Sequence, residues 1–362
     1  MKYKLKDLVT IKYGKNQKLV EDNINGKIPI LGTGGVIGYA KESLYNKPSV
    51  LIGRKGTIDK IRYVDFPFWT IDTLFYTEVN TDLVIPQYLY YRLLEIDFKN
   101  LNEGTTIPSL RTQTLYEIEL EIEDIKTQNK IVDILSTIDK KIELNTHTNN
   151  NLYAICNTIF HNYIDNYSEQ IKYTKIIDIA DRVVTGKTPS TKNEEFWNGG
   201  IPFITIPDMH NQVFTIDTER KISQIGAKAV IPKNSISVSC IATVGLVSIS
   251  TEESQTNQQI NSIVLKNDYD LYYLFEFLSE QENFMKNIAG GSTTYNINKT
   301  TFENIEVPLL PQNIVQEFHD AVCKLFDKIK LNQLENKNLE QLRDTLLPKL
   351  MNGEIDLDKI EI

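Results

Sequence analysis

GTTIPSLRTQTLYEIELEIEDIKTQNKIVDILSTIDKKIELN, residues 104–145, returns as GSTTYNINKTTFENIEVPLLPQNIVQEFHDAVCKLFDKIKLN, residues 291–332. Both copies span the same distance without a gap (145 − 104 = 41 and 332 − 291 = 41). The match continues at this offset, with Asn151-Leu152 against Asn338-Leu339 and Thr158-Ile159 against Thr345-Leu346. One organising stretch is therefore used twice.

Its second part carries a heptad. Leu135, Ile142, Asn149, Cys156 and Tyr163 stand seven apart, and Ile131, Ile138, Asn145, Leu152 and Ile159 form the other set. An a/d seam sustained over several heptads predicts a coiled coil. The copy supplies Phe318, Val322, Leu325, Ile329, Asn332, Asn336, Leu339, Arg343, Leu346 and Leu350. Asparagines hold the same seam positions in both copies, Asn145 and Asn149 against Asn332 and Asn336. A buried polar residue in a seam costs stability but fixes register and partner. Two unrelated amphipathic core helices would not share them.

A chain of 362 residues, 41% hydrophobic and 24% charged, has room for two or three soluble domains. It holds no apolar run long enough for a membrane span, and MKYKLKDLVTIKYGKN lacks the apolar centre of a signal peptide. Cys156, Cys240 and Cys323 are odd in number, far apart and without CxxC spacing, which suits a reduced cytoplasm. The net charge of −9 is concentrated in the heptad segments. Residues 111–170 carry 5 Lys/Arg and 10 Asp/Glu, and residues 301–362 carry 7 and 12. The remainder is near neutral and can hold a basic face.

In chain order, residues 5–11 form a short amphipathic piece, followed by a polar turn at Gly14-Lys15-Asn16. Ile28-Pro29-Ile30-Leu31 leads into Gly32-Thr33-Gly34-Gly35, a glycine loop that is not GxGxxG and lacks a surrounding βαβ unit. Strands are expected at 49–52, 61–64, 70–79 and 118–122, and helices at 87–98 and 127–167. The second half repeats the order: 176–184 matches the opening piece, 201–204 matches 28–31, and 272–278 matches 88–94. Ala242-Thr243-Val244-Gly245 matches Gly56-Thr57-Ile58-Asp59. Two modules of one fold are expected, each followed by a long helix. The boundaries fall at 1–125 and 169–310 for the modules, 126–168 and 311–351 for the helices, and 352–362 for a tail.

Catalytic constellations are missing from the sequence. Gly186-Lys187-Thr188 resembles the end of a phosphate-binding loop, but Asp181 stands where its first glycine belongs. Asp65-Phe66-Pro67-Phe68-Trp69 lacks the double proline of a methyltransferase NPPY string, and Glu335-Asn336-Lys337, a nuclease-like ExK, lies on the heptad helix. His147, His161, His210 and His319 have no metal-ligand spacing, so no metal is expected. These absences predict a binding protein rather than an enzyme.

A DNA-reading module needs cations for phosphates and amide, hydroxyl or guanidinium groups for base edges. The first module offers Lys41, Arg54, Lys55, Thr57, Lys60, Arg62, Thr105, Thr106, Ser109 and Arg111. The second offers Thr185, Lys187, Thr188, Ser190, Lys192, Thr243, Gln258, Gln259, Asn261, Ser292, Thr293, Asn296, Asn298 and Lys299.

At this point the halves resemble the two repeats of a type I restriction-modification specificity subunit. The strings that carry the resemblance are GKTPSTKNEEFWNGGIPFITIPD (186–208), the GTTIPSL and GSTTYNI loops, TQNKIVDILSTIDKKIELN (127–145) and LRDTLLPKLMNGEI (342–355). The resemblance covers nearly the whole chain. It implies an α+β fold in which two target-recognition domains are separated by two long antiparallel coiled-coil helices about a pseudo-two-fold axis. It also implies that each domain reads one half of a split double-stranded DNA target. Two modification subunits would bind the helices and bring S-adenosylmethionine, this chain holding no cofactor, and restriction subunits would join them in the cytoplasm. The first module departs from the pattern in lacking the GKTP string. A fused methyltransferase or nuclease, and a coiled-coil scaffold that never touches DNA, are the competing classes. Labelling of DNA by the chain alone with S-adenosylmethionine would mark the first, and failure to shift DNA would mark the second.

Overall fold

The computed structural model describes residues 1–210, 212–290 and 295–359. Two helices dominate it, Ile125–Asn166 and Gln312–Met351, 42 and 40 residues long. The chain divides into two compact units, residues 1–140 with 340–362 and residues 141–339. Each unit therefore holds one module and a part of each long helix, the larger part lying in the second unit, whereas the sequence sets the helices apart as separate segments.

The modules share one topology. In the first, strands Val9–Tyr13, Leu74–Val79, Ser49–Gly53 and Ile61–Val64 pair in that order, all antiparallel. In the second, Ala180–Thr185, Ile260–Leu265, Ile236–Ser239 and Val247–Ser250 do the same, extended by Phe214–Thr215. A smaller sheet places Ile28–Gly32 parallel to Trp69–Thr70, matched by Trp197–Ile204 parallel to Ser254–Thr256. A closing pair, Lys2–Lys4 with Glu119–Glu121, is matched by Lys172–Lys175 with Glu306–Leu309.

Several expected elements shift at their ends. The opening piece splits into a helical turn, Leu5–Leu8, and a strand, Val9–Tyr13, because Leu5 and Leu8 bury on a helical spacing while Val9 and Ile11 bury on an alternating one. The expected strand 70–79 breaks at residues 71–73, where Leu74 N–H turns back to the Ile71 carbonyl at 3.1 Å. Helix Pro86–Leu94 stops short of Phe98, which begins a separate 3-10 turn capped by Asp97. Gly32-Thr33-Gly34-Gly35 is a hairpin turn, with Gly32 paired to Gly35, and Gly35 at φ +129° takes a conformation that suits glycine.

The first unit packs Ile131 and Leu135, with Leu347, Leu350 and Met351, against the module helix through Tyr88, Leu89 and Tyr91. The second packs Cys156 and Phe160, with Phe318, Val322, Phe326 and Ile329, against helix Asp270–Ser279. Within this unit the helices run antiparallel, and the asparagines meet in pairs. Asn145 Nδ2 donates to Asn336 Oδ1 at 2.9 Å, and Asn332 Nδ2 donates to Asn149 Oδ1 at 2.8 Å. Asn145 also donates to Glu335, which Lys141 approaches at 3.3 Å. These bonds are satisfied in one register only, which is the specifying use of a polar seam residue.

Among the seam residues, Ile131, Leu135, Ile138, Cys156, Phe318, Val322, Ile329 and Leu350 are buried, as are Asn145 and Asn332. Ile142, Asn149, Leu152, Ile159, Leu325, Asn336, Leu339 and Leu346 are half-buried. Phe160, Phe326 and Leu347 are buried outside the a/d positions. Each helix covers a module as well as its partner helix, so its apolar stripe is wider than two positions in seven.

One buried group opposes this packing. Glu276 is fully buried on helix Asp270–Ser279, accepts from Asn157 Nδ2 at 3.3 Å and leaves Oε1 without a partner. Burial, the largest cause, pushes its carboxyl up to about 8; the Asn157 bond works against this and the Glu280 charge with it. Because the folded value lies above the unfolded one, the fold prefers the protonated acid. Stability is then full below about pH 4.5 and falls as pH rises toward 8, by at most about 1.4 kcal/mol per pH unit. Glu276→Gln should raise the melting temperature at pH 8 and leave it nearly unchanged at pH 5, which a pH series of thermal melts reads.

Candidate nucleic-acid interface

Four loops of each module meet at one edge, held by the same backbone bonds. The first loop leaves the opening strand at a Gly-Lys pair. Gly14 N–H bonds the Leu74 carbonyl at 3.0 Å and Lys15 N–H bonds the Thr70 carbonyl at 2.8 Å. In the second module Gly186 N–H bonds the Ile260 carbonyl at 3.1 Å and Lys187 N–H bonds the Thr256 carbonyl at 2.9 Å. Both glycines are forced by close approach. A Cβ on Gly14 would lie 2.0 Å from the Ile71 carbonyl oxygen, and one on Gly186 would lie 2.1 Å from that of Asn257. The lysine carbonyl is held in both, by Trp69 Nε1 at 2.9 Å and by Gln255 Nε2 at 2.6 Å.

The next three loops join in the same way. Arg54 N–H bonds the Thr73 carbonyl at 2.8 Å, as Cys240 N–H bonds that of Gln259 at 2.7 Å. Leu110 N–H bonds the Arg54 carbonyl at 3.0 Å, as Ile297 N–H bonds that of Cys240 at 2.9 Å. Gly56 N–H bonds the Pro108 carbonyl at 2.9 Å, as Ala242 N–H bonds that of Tyr295 at 3.0 Å. Gly56 (φ +82°) and Ala242 (φ +65°) share the left-handed conformation this crossing requires. The framework is thus common while the side chains differ.

The first edge is basic and aromatic. Lys15, Lys55, Thr57, Thr105, Thr106 and Arg111 are exposed. Arg54 is pinned, its Nη1 donating to the Asp72 carbonyl at 2.8 Å and its guanidinium lying 5.0 Å from the Tyr13 ring centre. Arg111 pairs with Glu103 at 3.2 Å, and the Asn102 side chain receives the N–H groups of Gly104 and Ser109, both at 2.9 Å. The second edge is rich in amides and hydroxyls. Lys187, Thr188, Ser190, Lys192, Thr243, Gln258 and Asn296 are exposed. The Thr188 hydroxyl donates to Gln258, Thr185 donates to the buried Asn261 at 2.7 Å, and Asn257 donates to Gln259 at 3.1 Å. Burial pushes the neighbouring Cys240 thiol up to about 11, so it acts as a small apolar residue there.

The bonds of other candidates run elsewhere. Lys41 pairs with Asp22 at 3.7 Å beside the Gly32–Gly35 hairpin, and Arg62 donates to the Thr33 carbonyl at 3.3 Å in the same hairpin. Lys60 is exposed at the start of strand Ile61–Val64. Asn298 caps helix Lys299–Glu303 by accepting from Thr301 N–H at 2.9 Å, and Lys299 pairs with Glu303 at 3.5 Å. Ser292 and Thr293 lie outside the described residues. Sequence reading left out Lys15, the counterpart of Lys187, and the holders Trp69, Gln255 and Asn102. The first had a signal, a Gly-Lys pair directly after the opening strand of both modules.

Comparison with known proteins fits this arrangement. The model of the type I restriction modification DNA specificity domain matches residues 1–154 and 168–341. The specificity subunit of the type I restriction enzyme HindI of Haemophilus influenzae is 32% identical over 377 aligned residues, 80% of this chain and 82% of that one. The MjaIX specificity subunit of Methanocaldococcus jannaschii is 26% identical over 350, covering 88% and 80%. The solved S subunit of a type I restriction-modification system from M. genitalium has the same fold, with TM-score 0.61 over 97% of this chain and 95% of that one at 18% identity. With its duplicated modules and paired helices, this chain belongs to the type I restriction-modification DNA specificity family, as a specificity subunit.

Proposed function

We propose that each module reads one half of a split, asymmetric double-stranded DNA target through its four joined loops, and that the long helices set the gap. A specificity subunit recognises DNA, works with the other subunits of its restriction-modification system and is not itself the catalyst. On our reading two modification subunits dock on the helices and bring S-adenosylmethionine, restriction subunits complete the assembly, and this chain holds no cofactor. Leu144, Ile155, Leu331 and Leu334 leave 45–60% of their surface exposed on the helices of the second unit, which supports docking there. No helix among the described residues is long and apolar enough to cross a membrane, consistent with work in the cytoplasm.

The observation that carries the reading is the shared loop framework with divergent side chains, as two readers of different half-sites need. Lysines at its edge suit phosphates and exposed amides suit base edges. Lys15→Ala, Lys55→Ala and Lys187→Ala should each weaken binding to every sequence and lower the salt slope by about one. Gln258→Ala should cost about 1–3 kcal/mol against the cognate base alone. Binding isotherms of the methyltransferase complex at several salt concentrations measure both effects. Unchanged affinity and slope in all four variants would place the DNA surface elsewhere.

A further inference from the structure

Each module sits on the helix pair through the face of one helix, Pro86–Leu94 in the first unit and Asp270–Ser279 in the second. The helix residues at these two seats correspond through the internal repeat: 326 − 139 = 187 and 343 − 156 = 187, the offset of the repeat itself (291 − 104 = 187). Tyr91 and Phe275 correspond through the module helices, where 88–94 matches 272–278.

The two seats differ at these three positions, and the second also carries the buried Glu276 close to Cys156. In the first unit Asp139 stands between two donors: the Tyr91 hydroxyl at 2.6 Å and Arg343 Nη1 at 3.0 Å. In the second, the place of Asp139 is taken by Phe326, which stacks on Tyr272 at 4.2 Å and meets Phe275 edge-on at 5.8 Å. Cys156 takes the place of Arg343 and is fully buried, its thiol pushed up to about 12 chiefly by that burial. The module matches its seat at the third position, a hydroxyl on Tyr91 facing the carboxylate and a bare ring on Phe275 facing the phenylalanine.

We infer that the two seats are keyed, so that each end of the helix pair accepts only a module bearing the complementary residue at the position of Tyr91 or Phe275. A phenylalanine in the first seat leaves the carboxylate short of a donor, and a tyrosine in the second buries a hydroxyl with no partner. The mismatch in the second seat is penalised because a buried hydroxyl needs its bond; in the first, the half-buried Asp139 is left with Arg343 alone. The key restricts which recognition modules this helix pair can carry at which end, whatever bases those modules read. It is separate from the loops, and its test does not involve DNA.

The test is a reversal of sign in the full chain. In the native background Phe275→Tyr should lower the melting temperature. In a chain re-keyed by Phe326→Asp with Cys156→Arg, the same Phe275→Tyr change should raise it by about 2–4 °C, the response to roughly 1 kcal/mol in a unit of this size. The mirror experiment uses the apolar direction: Tyr91→Phe should destabilise the native chain and stabilise the Asp139→Phe, Arg343→Cys chain. This second background introduces no buried charge and keeps the test decisive if the first does not fold. If each module substitution has the same sign in native and re-keyed chains, the seats are not keyed. The same holds if both re-keyed chains stay insoluble with either residue at the module position.

Discussion

Exchange of residues 172–309 for the corresponding module of a relative should redirect modification to a target changed in one half and unchanged in the other. The packing fixes the ends of the graft. Strand Lys172–Lys175 pairs with Glu306–Leu309, and Ile176 N–H bonds the Ile305 carbonyl at 3.1 Å, so a cut at 300 would split the module. The backbone bonds that join the four loops of the second module all lie within residues 180–297, so the loops travel with the graft. A donor with phenylalanine at the position of Phe275 meets the apolar seat formed by Phe326 and Cys156. Each wrong base pair costs about 1–3 kcal/mol, so a few lost contacts are enough to end modification at the old target. Motif-resolved methylation mapping of DNA modified by the complex reads both halves at once. A change in both halves would refute independent modules.

The long helices were legible because a heptad is written in neighbouring residues and the repeat writes it twice. The asparagines at 145, 149, 332 and 336 revealed the shared seam, and they meet in pairs in the second unit. The width of the buried stripe was hidden, because Phe160 and Phe326 are buried by modules whose helices lie far away in sequence. The loops were half legible. Gly186-Lys187 stood out in its string, but Gly14-Lys15 is followed by Asn16-Gln17 where the other has Thr188-Pro189. Their equivalence rests on carbonyls at Thr70 and Thr256, which no local pattern reveals. Lys41, Arg62, Asn298 and Lys299 are candidates by residue type, and type does not say that a side chain is engaged by Asp22, Thr33, Thr301 or Glu303.

Lengthening both long helices by four residues should widen the gap between the two half-sites while leaving the half-sites themselves unchanged. Sequence alone suggests inserting a turn near residues 163–166 and expects about one base pair of extra gap. The packing argues for a different place. Phe160 and Tyr163 lie against Phe318 at 5.9 and 5.6 Å, inside the second unit, so a turn added after them displaces the connection to the module and leaves the helix between units as it was. Both helices pass from one unit to the other at residues 140–141 and 339–340. A turn added at both places keeps Asn145 opposite Asn336 and Asp139 opposite Arg343, because each pair lies wholly on one side of the insertion. Four residues add about 6 Å of helix. At about 3.4 Å per base pair that is between one and two base pairs of gap. The same four residues turn the helix by about 40° beyond a full revolution. A seven-residue insertion at both places, two near-complete turns that preserve the heptad, should therefore give the cleaner result, adding about 10 Å or three base pairs. Methylation mapping of the two variants decides between outcomes: a gap that grows with insert length makes the helices the ruler, and an unchanged gap with normal modification means the spacing is set elsewhere.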